Sequence, residues 1–369
     1  MLCPVPFLQQ FIFNDGTYEL CCTSKRRQNK NYSDWNSEDY QKIRKHMLEE
    51  KEYPDVCIEC TKNEKSGMIS HAQTYTEWYK SIGSPRLDIV TGTAMDAPIS
   101  YDLRMNNICN FSCRMCGPSS SSQIAKEQIK NQALWPIDDY GDYSDNRFTS
   151  FDPQDIIENA GSILELRLLG GEPSLQPEAC AVLEELIRIK NTNIKMSITT
   201  NGSSQNTKFW KLVKHFSNVN IAVSIDAWGK QHEYIRGPAA DWDTIWNNVQ
   251  ELNKLYNTAI QQTVTTLNIF DFWKLRKNSY IPVESHACFS PNKYGIRNIP
   301  LKWKKRAIEI AKENDVYEQE EHIFNHLIED GEPRYLLGLK DYTALMDHSR
   351  KQYLKDHYPI TYEMLEDIG

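Results

Sequence analysis

Strand-like and helix-like segments alternate between residues 98 and 300, and this alternation limits the folds open to the chain. Short runs rich in β-branched residues, such as NIKMSITTNG at 193–202, precede segments with apolar residues at helical spacing, such as TKFWKLVKHF at 207–216. A repeated strand–helix order implies parallel strands joined by right-handed crossovers. The sequence therefore predicts an α/β fold, either a barrel or a doubly wound sheet.

Composition and charge exclude several classes of protein. The 369 residues are 40% hydrophobic and 25% charged, which is typical of one large or two moderate globular domains. No apolar run approaches the ~18 residues that span a bilayer, and the first residues lack the features of a secretory signal. The net charge is −8 without a basic stripe, which disfavours nucleic acid as a partner. We therefore expect a cytoplasmic protein that binds neither membrane nor nucleic acid.

Three of the ten cysteines, Cys109, Cys113 and Cys116, have the spacing C-x3-C-x2-C directly after the predicted strand APISYDLRM. Clustered cysteines in a reducing compartment indicate a metal rather than disulfides. Structural zinc usually takes four ligands, whereas three thiolates on a [4Fe–4S] cluster leave one iron open for chemistry. The triplet favours an iron–sulfur cluster. A zinc or ferredoxin-like site with a distant fourth ligand is the alternative.

Polar or glycine-rich motifs stand where the next predicted strands end. They are GGEP at 170–173, TTNG at 199–202, SID at 224–226 and LN at 267–268. In parallel α/β folds the active groups gather at the carboxyl ends of the strands. One such motif alone would be an ordinary turn or helix cap. Together with the cysteines, five motifs on successive strands indicate a single site.

The cysteine triplet followed by GGEP, TTNG and SID resembles the radical S-adenosylmethionine (SAM) enzymes over about residues 98–300. The resemblance implies a partial (β/α)6 TIM-like barrel with a [4Fe–4S] cluster on the three cysteines and with SAM on the fourth iron. Reductive cleavage of SAM would yield a 5′-deoxyadenosyl radical that abstracts a hydrogen atom from a substrate. The electron would come from a reductant such as flavodoxin or ferredoxin.

The same resemblance assigns residues to the parts of SAM. A carboxylate suits the SAM ammonium, because hydrogen bonds between opposite charges are strong. For the arginine in HEYIRGP, a surface salt bridge is the alternative interpretation. The residues matched are Gly170, Gly171 and Glu172 for the ammonium, Ser224 and Asp226 for the ribose, and Arg236 for the SAM carboxylate.

Three further residues are candidates for contacts with SAM. Asn201 and Asn268 are polar neighbours of the matched motifs. Met115 occupies the position before the third cysteine, where the family usually has an aromatic residue. A thioether can pack against adenine, so this departure affects the adenine contact rather than the cluster.

Four more cysteines, the pairs Cys3/Cys21 and Cys57/Cys60, lie in the first hundred residues. Two pairs of thiols and a turn glycine are enough for a closed site that holds zinc or iron–sulfur. The spacing C-x12-G-x4-C resembles the SPASM/twitch auxiliary-cluster module of radical SAM enzymes, here placed before the barrel. The resemblance favours an auxiliary [4Fe–4S] cluster over zinc. Whether Cys21 or Cys22 is the ligand stays open.

These patterns divide the chain into a twitch-like module at 1–97, a barrel at 98–300 and a helical C-terminal extension at 301–369. The last two cysteines, Cys180 and Cys288, are expected in the core. Cys180 lies on the apolar face of a predicted helix. For Cys288, the alternative to a core position is a role as a further metal ligand late in the sequence.

Three functions compete on this basis. The favoured one is a radical SAM enzyme that modifies a peptide or protein side chain. The second is a radical SAM enzyme that acts on a small metabolite, such as a sugar, nucleotide or lipid precursor. The third is a non-catalytic iron–sulfur or zinc protein, which is disfavoured because GGE, SID and Arg236 have no purpose without SAM.

Overall fold

The computed structural model describes residues 3–13, 16–24, 32–65, 69–82, 87–88, 90–130 and 152–368, which form a mixed α/β protein. The strands are β1 (Gln9–Ile12), β2 (Tyr18–Glu19), β3 (Leu87–Asp88), β4 (Thr93–Ala94), β5 (Ser100–Leu103), β6 (Glu165–Leu168), β7 (Lys195–Thr200), β8 (Asn218–Ser224), β9 (Asn257–Val264) and β10 (Val283–Ala287).

The helices of the described residues alternate with these strands and continue after them. They are α1 (Val5–Leu8), α2 (Glu38–Glu49), α3 (Ile58–Lys65), α4 (His71–Ile82), α5 (Ser122–Lys130), α6 (Gln154–Glu158), α7 (Pro177–Arg188), α8 (Lys208–Val213), α9 (Lys230–Arg236), α10 (Trp242–Leu255), α11 (Trp273–Asn278), α12 (Leu301–Glu313), α13 (Glu321–Ile328), α14 (Tyr335–Arg350), α15 (Leu354–His357) and α16 (Pro359–Ile368).

The strand and helix segments expected between residues 98 and 300 are confirmed, since β5 to β9 and α7, α8 and α10 lie where the sequence predicts them. The chain divides into two compact units. The first unit is Met1–Asn107, Phe148–Ile198 and Thr207–Val219, and the second is Ile108–Arg147, Thr199–Asn206 and Asn220–Gly369.

The first unit contains strands in the order β7-β6-β5-β1-β2. β5, β6 and β7 are parallel, as predicted. β1 adds to the edge of β5 in parallel, and β2 pairs with β1 in antiparallel orientation. One face of the parallel strands is apolar and buried, as Leu103, Leu166 and Met196 illustrate. Side chains alternate between the two faces of a strand, so the other face carries a different set of residues.

Arg44 of α2 lies fully buried in the amino-terminal part of the first unit. Its guanidinium donates to the carbonyl oxygens of Pro6 at 2.7 Å and Trp35 at 2.8 Å, and to Asn36 Oδ1 at 3.0 Å. It also lies 4.4 Å from the centre of the Trp35 ring. Burial lowers the pKa of Arg44 to about 10, so the side chain stays charged at neutral pH. One cation therefore ties three segments of this region together.

The second unit contains β8, β9 and β10 as neighbouring parallel strands. Its core joins residues that follow these strands with residues of α12 to α16, including Phe270, Ile323, Leu339 and Met364. Residues 301–368 are thus mainly helical, as the sequence predicts. No helix of the described residues combines the length and apolarity that crossing a bilayer requires.

Replacing Arg44 with methionine should destabilise the protein, because it leaves buried carbonyl oxygens without a donor. We expect Arg44→Met to lower the free energy of unfolding by at least about 2 kcal/mol, measured by urea titration with circular dichroism. The control is Lys42→Met on the exposed face of the same helix, where Lys42 pairs with Glu38 in solvent. Equal urea midpoints for the two variants would contradict this account of Arg44.

Gly237, after α9, has φ +96°, and a Cβ built there would lie 2.7 Å from Ser112 Oγ and 3.0 Å from Ser112 O. We expect Gly237→Ala to destabilise the second unit by about 1–3 kcal/mol from the backbone conformation alone, and further through the overlap. Gly229→Ala is the matched control, since Gly229 also has a positive φ but has nothing within 4 Å of the added carbon. A cost for Gly237→Ala no larger than that of the control, in the same urea assay, would show that the loop yields freely.

Candidate functional site

The loop of Cys109, Cys113 and Cys116 lies in the second unit, just before α5. The residues Cys109 and Cys113 are buried, while Cys116 is partly exposed. The Phe111 backbone N–H donates to Cys109 Sγ at 3.4 Å, and the Cys116 N–H donates to the Cys113 carbonyl at 3.0 Å. The chain therefore makes a tight turn between Cys113 and Cys116, and the three thiols lie in one loop.

Arg114, between the second and third cysteines, anchors this loop to the rest of the second unit. Its side chain is 1% exposed and forms an ion pair with Asp347 of α14 at 2.7 Å. Arg114 Nε donates to the Tyr234 carbonyl at 2.8 Å, and its guanidinium lies 3.7 Å from the centre of the Tyr234 ring. Tyr294 donates to the Arg114 carbonyl at 2.6 Å. The loop is thereby fixed from several directions.

Two further contacts hold Ser112, the residue before Cys113. Arg350 Nη2 at the end of α14 donates to the Ser112 carbonyl at 2.7 Å and pairs with Glu127 at the same distance. Gly237 packs against Ser112 from the other side, where no larger residue fits. Sequence reasoning missed this role of α14, and the signal that pointed to it was an arginine inside the cysteine motif.

Polar groups lie beside two of the thiols, and the setting favours the thiolate form of Cys113. Arg236 Nη1 donates to Cys113 Sγ at 3.7 Å, and Asn201 Nδ2 lies 3.9 Å from Cys109 Sγ. A hydrogen bond with the Cys116 thiol, together with the Arg236 charge, lowers the pKa of Cys113 to about 7 against the effect of burial. The same hydrogen bond and burial raise the pKa of Cys116. A positive charge beside a thiol is typical of reactive and metal-binding cysteines.

Asp226 and Arg236, matched above to different parts of SAM, form an ion pair with each other at 2.7 Å. Asp226 is buried and Arg236 is mostly buried, and Asp226 Oδ1 also accepts from the Thr263 N–H at 3.0 Å. Burial alone lowers the pKa of Arg236, but the Asp226 charge raises it overall. The pair positions the arginine beside Cys113, so Asp226 acts on the cysteine loop through Arg236.

The side-chain amide of Asn268 is hydrogen-bonded to its own loop and to the residue that follows the end of β8 by two positions. Its Nδ2 donates to the carbonyls of Asp226 at 2.9 Å and Thr263 at 3.0 Å, and its Oδ1 accepts from the Thr265 N–H at 2.7 Å. These contacts fix the loop after β9, so the Asn268 side chain has a structural role. Ser224, the other residue matched to the ribose, lies half-buried at the end of β8.

Asn201 and Met115 lie in the second unit with the cysteine loop. Asn201 Nδ2 donates to Asn110 Oδ1 at 2.9 Å, which connects the turn after β7 to the loop. Met115 is half-buried and packs against the core of this unit. The structure thus brings Asn201, Asp226 and Arg236 to the cysteine loop.

The GGE motif lies in the first unit, at the end of β6. Gly170 has φ +106°, and a Cβ there would lie 3.1 Å from Arg104 Cα, so glycine is required. The Gly171 N–H donates to the Asn106 carbonyl at 3.2 Å. Glu172 is 1% exposed, and its Oε1 accepts from the backbone N–H and hydroxyl of Ser174. The carboxylate is therefore held in one orientation by the turn that follows it.

Cys3, Cys21, Cys57 and Cys60 come together in the first unit, and all four are buried. Burial raises the pKa of Cys3, and the charges of the other three thiols raise it further, which reflects their proximity. Thr23 Oγ1 lies 3.4 Å from Cys21 Sγ and 4.0 Å from Cys60 Sγ. Four free thiols gathered in one core are the donor type that iron–sulfur clusters take.

Cys22 is directed away from this group. Its Sγ lies 3.6 Å from His71 Nε2 on α4. Burial raises the pKa of Cys22 to about 12 and lowers that of His71 to about 4. Both side chains are therefore neutral at pH 7. Of the two candidates left open by the sequence, Cys21 is the one whose thiol lies with the other three.

The remaining cysteines, Cys180 and Cys288, are buried as expected for core residues.

Among the described residues, no three Cys, His, Asp or Glu side chains are placed to hold a single metal ion. A cubane cluster differs in this respect, because each of its cysteines binds a separate iron atom. Three thiols in one loop beside an arginine fit such a group, and they fit it better than a single zinc ion.

Residues 103–274 match the model of the Radical SAM superfamily. The chain is 23% identical over 187 residues to the sporulation killing factor maturation protein SkfB of Bacillus subtilis (strain 168), covering 50% of this chain and 40% of that protein. It is 27% identical over 209 residues to the probable GTP 3′,8-cyclase of Sulfurisphaera tokodaii, covering 48% of this chain and 59% of that protein. The chain thus spans about half the length of these curated relatives.

Solved structures with some likeness include native anSMEcpe with bound AdoMet, at a TM-score of 0.40 and 16% identity, covering 58% of this chain and 60% of that one. Streptococcus suis SuiB bound to precursor peptide SuiA has a TM-score of 0.37 and 13% identity, covering 72% of this chain and 60% of that one. The superfamily match covers the cysteine loop, the GGE motif and Arg236. Residues 103–274, which make up a little under half of the chain, therefore resemble the radical SAM superfamily, an enzyme superfamily whose members bind SAM and an iron–sulfur cluster.

Proposed function

We propose that this protein is a radical SAM enzyme that modifies a peptide or protein side chain. The observation that carries the proposal is the loop of Cys109, Cys113 and Cys116, held rigidly beside Arg236 within the superfamily match. These thiols would hold a [4Fe–4S] cluster with one iron open for SAM, and the bound group would supply one-electron cleavage of SAM to methionine and a 5′-deoxyadenosyl radical that takes a hydrogen atom from the substrate.

The chain's own residues have three tasks in this proposal. Arg114 and Arg350 fix the loop, so that the three sulfurs keep their spacing. Arg236 places a positive charge beside Cys113, which favours its thiolate form. Asp226 orients Arg236 and keeps it charged. Arg236 retains guanidinium donors for the SAM carboxylate, because an arginine carries five N–H groups.

The strand ends supply the remaining contacts with SAM. Glu172 and the backbone of Gly170 and Gly171 would receive the SAM ammonium, and the buried carboxylate is pre-oriented for it by Ser174. Ser224 is the accessible candidate for the ribose, since Asp226 is engaged by Arg236. Asn201 and Met115, near the loop, would contact the nucleoside. The barrel interpretation assigns β5 to β10 to the six strands of a partial (β/α)6 barrel.

We further propose that residues 1–97 form a twitch-like module with an auxiliary [4Fe–4S] cluster on Cys3, Cys21, Cys57 and Cys60. The convergence of four buried thiols supports it. Residues 301–369 form a helical extension, which supports the loop through α14. The auxiliary cluster would accept an electron from the substrate. Flavodoxin or ferredoxin would supply the electron for SAM cleavage. Free thiols at all ten cysteines suit a reducing cytoplasm.

Two relatives point to different substrate classes. SkfB is named as a maturation protein for a killing factor, which agrees with a peptide substrate. The other relative is named as a probable GTP 3′,8-cyclase, which keeps a small metabolite as the second candidate. We favour the peptide.

Replacing Cys113 tests the central chemistry. Anaerobic reconstitution with iron and sulfide, followed by dithionite and SAM, should give 5′-deoxyadenosine from the unaltered protein. Cys113→Ala should lower its formation at least about 100-fold, because two thiolates no longer hold the cluster with an open iron. The measurement is liquid chromatography of 5′-deoxyadenosine.

Cys180→Ala is the control for this experiment, since Cys180 is a buried free thiol on α7. It should leave the rate of 5′-deoxyadenosine formation unchanged. An unaltered protein that binds zinc, lacks iron–sulfur absorption and forms no 5′-deoxyadenosine would support the non-catalytic alternative instead.

Metal analysis tests the auxiliary cluster. The reconstituted protein should contain about eight irons per chain if both sites hold [4Fe–4S] clusters, and Cys57→Ala with Cys60→Ala should reduce this to about four. Cys22→Ala should retain about eight, because its thiol faces His71. Mass spectrometry of iron and zinc distinguishes the cases. One zinc per chain, lost only in the double variant, would show a structural zinc site.

A further inference from the structure

Two rows of side chains cross the first unit on the face of β1, β5, β6 and β7 opposite the apolar one. The register of the parallel strands aligns them, because residues at matching positions lie side by side. We call these residues the polar strand face. The first row is Gln9, Ser100, Glu165 and Lys195, and the second is Asp102, Arg167 and Ser197, beside Phe11.

Neighbouring side chains of the first row are joined by hydrogen bonds. Ser100 Oγ donates to Glu165 Oε2 at 2.7 Å, and Lys195 Nζ lies 2.9 Å from Glu165 Oε1. Both oxygens of the buried Glu165 are thus engaged. Lys195, with a 40% exposed side chain, lies at the accessible end of the row and 5.6 Å from the centre of the Trp78 ring.

The second row is less completely hydrogen-bonded than the first. Arg104 Nε and Arg167 Nη1 each lie 3.8 Å from an oxygen of Asp102, which is too long for a hydrogen bond. Asp102 is 1% exposed, and within the described part of the chain neither Asp102 Oδ1 nor Arg104 Nε has a hydrogen-bond partner. Arg167 donates to the Tyr75 hydroxyl at 2.9 Å. A guanidinium has five N–H groups, so Arg167 retains donors toward the open side.

A cavity of about 130 Å³ lies at this open side. Its lining residues are Thr74, Tyr75, Trp78, Glu165, Arg167, Lys195 and Ser197. Pockets for whole drug-sized ligands have about 300–1,000 Å³, so this cavity suits the end of a side chain rather than a nucleotide. Two aromatic rings of α4 flank it, and they provide apolar contact for a short methylene chain.

We propose that this cavity binds the carboxylate of a glutamate-like side chain on the substrate, with Arg167 and Lys195 as the groups that recognise it. An arginine pairs with a carboxylate through two parallel hydrogen bonds, and the lysine adds a point charge. Trp78 and Tyr75 would contact the methylene groups. The proposal rests on the proposed function, because it names the substrate class of that same enzyme.

The local charge favours a carboxylate over a phosphate. Arg104, Arg167 and Lys195 exceed the carboxylates of Asp102 and Glu165 by one positive charge, in a chain whose net charge is −8. A monoanion balances this excess, whereas a phosphate dianion would leave one uncompensated negative charge beside two buried carboxylates.

Calorimetry tests the site on the anaerobically reconstituted full chain, without reductant and without SAM. The probes are N-acetylglutamic acid α-amide, its neutral analogue N-acetylglutamine α-amide, glutarate and inorganic phosphate. We expect the glutamic acid derivative to bind at least about tenfold more tightly than the glutamine derivative and phosphate, a difference of about 1.4 kcal/mol. Arg167→Gln and Lys195→Gln should each weaken its binding by a similar factor.

Lys208→Gln is the matched control, since Lys208 pairs with Glu184 on an exposed surface of the same unit. It should bind the glutamic acid derivative as the unaltered protein does. Thermal unfolding of each variant verifies folding. If Arg167→Gln unfolds, Lys195→Gln decides the question, because its side chain lies at the accessible end of the row.

Equal affinity for the glutamine derivative, or unchanged binding by Lys195→Gln, would overturn the carboxylate site. Preference for phosphate would overturn it as well. Binding of glutarate without the glutamic acid derivative would overturn a peptide source of the carboxylate. Calorimetry requires no SAM cleavage, so normal binding by a protein that forms no 5′-deoxyadenosine would leave this site standing and remove the proposed function alone.

Discussion

The buried ion pair between Arg114 and Asp347 is the interaction on which the cysteine loop depends. Loops are usually mobile, whereas a cluster needs its sulfurs at fixed spacing. Arg114 solves this problem because it stands between Cys113 and Cys116 and reaches α14, Tyr234 and Tyr294 at once. Removing one partner of such a pair leaves an uncompensated buried charge, which costs several kcal/mol. The cysteine loop is therefore held in place by the helical core that surrounds it.

Much of the fold could be predicted because its signals are local. Alternation of apolar residues and glycine-rich strand ends located β5 to β9, and tight cysteine spacing located the loop. The clustering of Cys3, Cys21, Cys57 and Cys60 also followed from spacing, although the choice between Cys21 and Cys22 did not. Adjacent residues point in different directions, and only the packing of His71 against Cys22 separates them.

The features of the site that the sequence did not predict depend on contacts between residues far apart in the chain. Asp226 and Arg236 were matched to different parts of SAM, and their pairing arises from the packing of α9 beside the end of β8. Asn268 looks like a ligand-binding residue in the sequence, yet its amide is hydrogen-bonded to its own loop and to the Asp226 carbonyl. The polar strand face was missed, although Asp102, Glu165 and Arg167 stood in segments predicted to be strands. Charged residues at alternating positions of such strands were the signal.

The tie between Arg114 and α14 also has a consequence for biogenesis. A ribosome makes the cysteine motif long before it makes Asp347 and Arg350, so the nascent chain carries three unconstrained thiols for most of its synthesis. Scaffold proteins that deliver iron and sulfide would meet an organised acceptor only after the late helices have docked. Assembly of the proposed cluster should therefore follow translation rather than accompany it.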